Sequence, residues 1–144
     1  MELARLLCLN EPAEQPQQDR LDAFALELAA WWAGRGSSHR CFTARTSEGS
    51  FVGMAWLAVF PRVPRPGNTQ RLAADIQTVF VRPEWRGQGI GSALVQAAVD
   101  HAEGIGVVHT TVHSGRRVVP VYERLGFESS PQLLQRTPSS RRQS

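Results

Sequence analysis

The chain reads as one mixed α/β domain, and three observations predict it. Apolar residues at helical spacing over 21–32 precede two β-type runs joined by a turn. A third β-type run leads through a glycine-rich turn into an amphipathic helix at 89–103. A further strand and a short helix follow, the alternation expected of α/β domains. The 144 residues match one ordinary domain and can bury a core without disulfide staples. The domain is expected to span residues 1–136, with 137–144 (TPSSRRQS) as a flexible tail.

Residues 1–10 are apolar enough for a short helix or a strand. Glu11 to Gln18 is rich in Pro, Gln and Glu and reads as a loop. Leu21, Phe24, Ala25, Leu28 and Trp32 then mark a core-facing helix, with Asp19 as N-cap and Gly34 as stop. Cys41–Arg45 and Phe51–Phe60 form a hairpin around Ser47-Glu48-Gly49. Three prolines between Pro61 and Gly67 force a surface excursion. Ala73–Arg82 is the next strand, closed by Pro83. Ile90, Leu94, Val95, Ala98 and Ala102 line one face of the 89–103 helix, which Gly104 and Gly106 end. Val107–Val112 is a strand. Pro120 would cost roughly 3 kcal/mol inside a helix, so the last helix begins no earlier than about Arg117 and ends at Leu125. At least one more strand is expected from Phe127 onward.

Composition narrows the function classes. No apolar run is long enough to span a membrane, and no basic stretch with an apolar core marks a secretory signal. Cys8 and Cys41 lack CxxC spacing and read as reduced thiols of a cytoplasmic protein. No metal site is expected. The net charge is +3 and all 16 basic residues are arginine, which reads as coding bias before function. The arginines are scattered and not interleaved with aromatics, so a nucleic-acid surface has no support.

The chemistry concentrates at Arg86-Gly87-Gln88-Gly89-Ile90-Gly91, followed by Ser92. A strand, a glycine-rich turn and a helix make an anion site, because the first helical N–H groups lack intrahelical partners and the dipole adds positive charge. The dinucleotide spacing G-x-G-x-x-G fails, since counting from Gly87 its third glycine falls on Ser92. A P-loop needs a lysine and the chain has none. The Arg-x-x-Gly-x-Gly pattern after Val79-Phe80-Val81-Arg82-Pro83 resembles the pyrophosphate loop of the GCN5-related N-acetyltransferases (GNAT). Val121-Tyr122-Glu123-Arg124-Leu125-Gly126-Phe127 resembles that family's second hallmark, Leu-Tyr-x-x-x-Gly-Phe. The two motifs cover about residues 73–130.

The resemblance implies an acyl-CoA N-acyltransferase fold: a mixed, mostly antiparallel sheet flanked by helices. Its first strand must come from Glu2–Leu9 or be absent, leaving an abbreviated N-terminus. It implies direct acetyl transfer from acetyl-CoA to the amine of a small molecule or peptide. Tyr122, the chain's only tyrosine, would be the general acid for the CoA thiolate, being a phenol of ordinary pKa about 10. Val79, Phe80 and Val81 would pair with the pantetheine arm and supply an oxyanion donor. Arg86 to Ser92 would hold the pyrophosphate, and His113 would serve as base or cofactor contact. Asp75, eleven residues before Arg86, is the candidate base, where several family members carry a glutamate; an exposed carboxylate without a role is the alternative. Period-two geometry would put Asp75, Gln77, Val79 and Val81 on one face. The asparagine often found seven residues before the tyrosine is replaced by Gly115, with His113-Ser114 adjacent. Acceptor contacts would come from the Asp19–Trp32 helix and the Arg62–Arg71 loop, whose basic character favours an anionic acceptor. Trp31, Trp32 and Trp56 line a pocket or pack as core. Homodimers are common in such proteins. A non-catalytic acetyl-CoA sensor on the same fold is the alternative reading.

Overall fold

The computed structural model describes residues 1–11, 15–114 and 118–139. Residues 1–114 form one compact unit; the described residues after it form a second. The first unit holds α1 (Glu2–Asn10), α2 (Gln18–Ala33), β1 (His39–Arg45), β2 (Phe51–Pro61), β3 (Leu72–Val81), a 3₁₀ turn (Pro83–Trp85), α3 (Ile90–Gly104) and β4 (Thr110–Val112). The second holds α4 (Val119–Arg124). The sheet order is β1-β2-β3-β4, antiparallel except for the parallel β3–β4 pair.

β2 is buried at every position from Val52 to Ala58, because helices cover both faces of the sheet. On one face Leu6 of α1 meets Met54, Trp56 and Phe80, with Leu28 and Trp32 of α2 against them. On the other, Leu94 of α3 meets Ala55 and Val81. A Cβ on Gly53 would lie 3.0 Å from Leu94 Cδ1 and 3.3 Å from Phe80 O, so α3 seats this closely only over a glycine. Trp32 Nε1 donates to His39 O (2.9 Å), fastening the end of α2 to the edge strand β1.

Several boundaries differ from the sequence-based expectation. The N-terminal segment is helical: Leu3, Leu6 and Leu7 repeat at i, i+3, i+4 toward the core, and no β-branched residue interrupts them. No described strand precedes β1. Gln17, not Asp19, occupies the N-cap of α2, and Asp19 lies in the first turn. Gly34 does end the helix. β4 is shorter than expected, because the turn after α3 uses the chain up to His109. The strand expected after Phe127 is not formed among the described residues: 127–139 are turns and irregular backbone, with Pro131 and Pro138 unable to donate to a ladder. Gly115 and the predicted helix start near Arg117 lie outside the described residues, as do positions 140–144 of the tail.

Candidate active site

β3 reverses its addressing at Gln77. Trp56 pairs with Thr78, yet the next residue, Leu57, pairs with Ile76, so Gln77 is the extra residue of a β-bulge. Ala74 N–H donates to His109 O (3.1 Å), so before the bulge even-numbered residues address the β4 side. Arg82 N–H donates to Val52 O (2.8 Å), so after it even-numbered residues address β2. The main-chain groups of Val79 and Val81 are therefore turned to the edge away from β2. Among the described residues, β4 pairs only with Ala74 to Ile76 and leaves that edge uncovered from Gln77 onward. Val81 O accepts from Arg86 Nε (2.8 Å). The N–H and C=O of Val79 and the N–H of Val81 then form a strand-like row that an extended amide ligand can match.

The bulge also corrects the expected alternation. Trp56 and Ala58 share the α1/α2 face, and their cross-strand partners Thr78 and Asp75 share it with them. Val79 and Val81 pack on the α3 face. An odd insertion breaks the period of two, so Asp75 and Gln77 do not lie with Val79 and Val81. The Phe80 side chain is buried against Leu6, Met54 and Trp56, and its main-chain groups address β2 instead of the open edge.

The glycine-rich turn follows directly. Gly87 and Gly89 have φ of 79° and 80°, and Gly89 is the N-cap of α3. Left-handed backbone there lets the chain turn from strand into helix with no Cβ facing the mouth of the turn. The first intrahelical bond is Ala93 N–H to Gly89 O (3.0 Å), and no side chain caps the helix. The N–H groups of Ile90, Gly91 and Ser92 thus point out of the helix start. Arg86, with its guanidinium 5.5 Å over the Phe80 ring, holds the turn against the end of β3. Gln88 is exposed. Trp85 is half-buried and packs on the Ala55–Val81–Leu94 cluster.

A cavity of about 330 Å³ opens on the opposite face of the sheet. Phe24, Leu28 and Trp31 of α2, Leu7 of α1 and Trp56 of β2 give it apolar walls. Gln77 and Thr78 bring the bulge into its lining, and Glu27 is its carboxylate. Glu27 escaped notice in the sequence, although it lies three residues from Phe24 and four from Trp31, a charged position on an apolar helical stripe. Asp75 is not among the lining residues; its half-buried carboxylate accepts the Thr111 hydroxyl (3.0 Å). His113 is exposed just past β4. Burial pushes the Cys41 thiol up to about 12, so it is no nucleophile near neutrality.

In the second unit, Tyr122 lies on α4. Phe127 N–H donates to Tyr122 O (3.0 Å) and Gly126 N–H to Glu123 O (3.0 Å), the paired bonds of a Schellman cap. Gly126 adopts the required left-handed backbone (φ 95°). The cap brings Phe127 edge-on to the Tyr122 ring (centroids 5.6 Å apart), which fixes the phenol's direction. Burial raises the Tyr122 pKa, so the phenol keeps its proton at neutral pH.

The acetyltransferase (GNAT) family model matches residues 3–127. The chain belongs to this family. A mycothiol acetyltransferase of Saccharomonospora viridis is 31% identical over 121 residues, covering 79% of this chain and 38% of the relative. A glucosamine 6-phosphate N-acetyltransferase of Trypanosoma brucei brucei is 33% identical over 81 residues, covering 56% of this chain and 53% of the relative. The chain thus spans about two fifths to half the length of these GNAT relatives. The crystal structure of a Trypanosoma brucei acetyltransferase matches with a TM-score of 0.74 at 24% identity, covering 95% of this chain and 92% of that one. The GNAT fold is therefore present, built on four strands among the described residues.

Proposed function

We propose that this chain transfers the acetyl group of acetyl-CoA to a primary amine. The observation that carries the reading is the continuity of two features in one unit. The uncovered edge at Val79–Val81 leads directly into the outward N–H groups at the start of α3. An extended amide arm suits the first and a pyrophosphate the second, and coenzyme A joins both.

The chemistry then assigns roles. A neutral amine attacks the thioester carbonyl carbon, and the Val79 N–H stabilises the developing oxyanion. Collapse of the intermediate breaks the C–S bond. The thiolate takes the Tyr122 proton, which solvent later restores. The proton lost by the amine passes through water to the Asp75 carboxylate, which does not line the cavity, and on to bulk solvent. Arg86 shapes the pyrophosphate turn, and its tether to Val81 O couples the turn to the strand edge. The two relatives carry different names, one after mycothiol and one after glucosamine 6-phosphate, so the acceptor must be read from this chain's own cavity.

The test is acetyl-CoA-dependent thiol release over a panel of amines, with melting temperature measured alongside. Binding with turnover is expected. No thermal shift at millimolar acetyl-CoA overturns the reading, and binding without turnover of any amine makes the chain a sensor.

A further inference from the structure

We propose that the acceptor is a small primary amine with an aryl or bulky alkyl body and no phosphate, held in the cavity between α2 and the β3 bulge. The inference rests on the acetyltransferase reading above and specifies the substrate class of that site.

The cavity, about 330 Å³, has the volume of a small-molecule site. The Trp31 and Trp56 rings pack edge to face, 6.3 Å apart at 69°, with Trp56 buried, and Trp31, Phe24 and Leu28 give the cavity an apolar wall. An aryl or bulky alkyl body gains by packing on such a wall. Among the described lining residues Glu27 alone is charged. A carboxylate and aromatic faces together favour an ammonium and repel a phosphate. The arginines that could receive a phosphate are elsewhere: Arg62, Arg65 and Arg71 belong to the β2–β3 connection and do not line the cavity. Arg35 stacks 5.0 Å over the Trp31 ring but donates to Trp31 O (2.8 Å) and is not a lining residue. Gln77 and Thr78 link the cavity to the strand edge, so an amine seated there reaches the site where the thioester carbonyl would lie. Glu27 is a specificity-determining residue in this scheme, drawing the cation in, and the ammonium gives up its proton to water before the neutral amine attacks.

The experiment compares phenethylamine and tryptamine with glucosamine 6-phosphate and an alanine-led peptide, using acetyl-CoA and the full chain. The arylalkylamines are expected to give kcat/KM at least tenfold above both others. Glu27→Gln should raise their KM about two- to fivefold at low ionic strength, the scale of a solvent-exposed ion pair, with kcat and the acetyl-CoA thermal shift unchanged. Glu27→Arg should remove the preference for the arylalkylamines over glucosamine 6-phosphate. Calorimetric titration of phenethylamine onto the CoA-bound protein reads the same site without turnover. Preference for the sugar phosphate or the peptide, or an unchanged KM in Glu27→Gln, overturns the acceptor class while cofactor binding stands. Loss of acetyl-CoA binding in the unmodified chain overturns the underlying reading, and this inference with it.

Discussion

Gly53→Ala tests whether the seat of α3 sets both stability and cofactor binding. The new Cβ would lie 3.0 Å from Leu94 Cδ1, 3.3 Å from Phe80 O and 3.5 Å from Ile90 Cγ2. Carbon atoms prefer separations of about 3.5–4.0 Å, so α3 must lift by roughly half an ångström or Leu94 must leave its rotamer. Leu94 is only 5% exposed and is enclosed by Ala55 and Val81, and Phe80 O belongs to the sheet. Neither can yield cheaply. Overpacking of this kind costs about 1–3 kcal/mol. Removing a glycine's freedom in the unfolded chain returns about 0.4–1 kcal/mol. The balance is a loss of about 1–2 kcal/mol, or a fall in Tm of roughly 3–8 °C for a chain of this size. Because Ile90 begins α3, the strain falls on the turn that would hold the pyrophosphate, so the Tm rise on adding acetyl-CoA should also shrink. Differential scanning fluorimetry with and without acetyl-CoA measures both. Gly36→Ala is the control, since nothing lies within 4 Å of its Cβ, and its Tm should hold. A Gly53→Ala protein as stable as the parent, with an undiminished acetyl-CoA shift, would refute the reasoning.

The other variants separate cofactor binding from chemistry. Gly89→Asp should fold, because no atom lies within 4 Å of its Cβ and aspartate tolerates left-handed backbone; the carboxylate should nonetheless abolish the acetyl-CoA thermal shift, and a retained shift would remove the turn from the site. Tyr122→Phe should lower kcat about a hundredfold with little change in acetyl-CoA KM. Burial raises the phenol's pKa, so an alkaline limb due to its ionisation should lie above about 10 and vanish in the variant; an unchanged kcat would strip Tyr122 of its role. Asp75→Asn should reduce kcat with little change in acetyl-CoA KM, and an unchanged kcat would remove Asp75 as base. With its pKa raised to about 12 by burial, Cys41 favours folding fully below the unfolded thiol's value of about 8.5 and progressively less as pH rises toward 12. Cys41→Ala should flatten the fall of the urea midpoint between pH 9 and 10.5, and an equally steep fall would contradict burial of the thiol.

What was legible in the sequence had local causes. The 21–32 stripe, the hairpin, the glycine-rich turn and α3 each rest on periodicity or turn chemistry within a few residues. Gly126-Phe127 proved legible for a reason the motif alone does not state, since the pair completes the cap that orients Tyr122. Distant partners decided the rest. Leu3, Leu6 and Leu7 fit either a helix or a strand until Met54 and Phe80 are known to lie beneath them. The length of β4 depends on how much chain the turn after α3 consumes. Glu27 meets Gln77 and Thr78 only across the cavity that α2 and β3 line together.

The bulge was the hardest feature to foresee, because both faces of the strand are covered. Val79-Phe80-Val81 is apolar whichever way it faces, so the residues after Gln77-Thr78 carry no phase of their own. Packing nevertheless requires it. Continued from Asp75 without the extra residue, the alternation would send the Phe80 ring toward α3, where Gly53 and Leu94 leave no room for a Cβ, let alone a ring. With Gln77 inserted, Phe80 fills the space between Leu6, Met54 and Trp56. The smaller Val79 and Val81 go beneath α3. The same half-turn carries the main-chain groups of Val79 and Val81 to the uncovered edge and puts Gln77 in the lining of the cavity. One inserted residue thus reconciles the two cores, and in doing so brings the cavity and the uncovered edge to the same point on the strand.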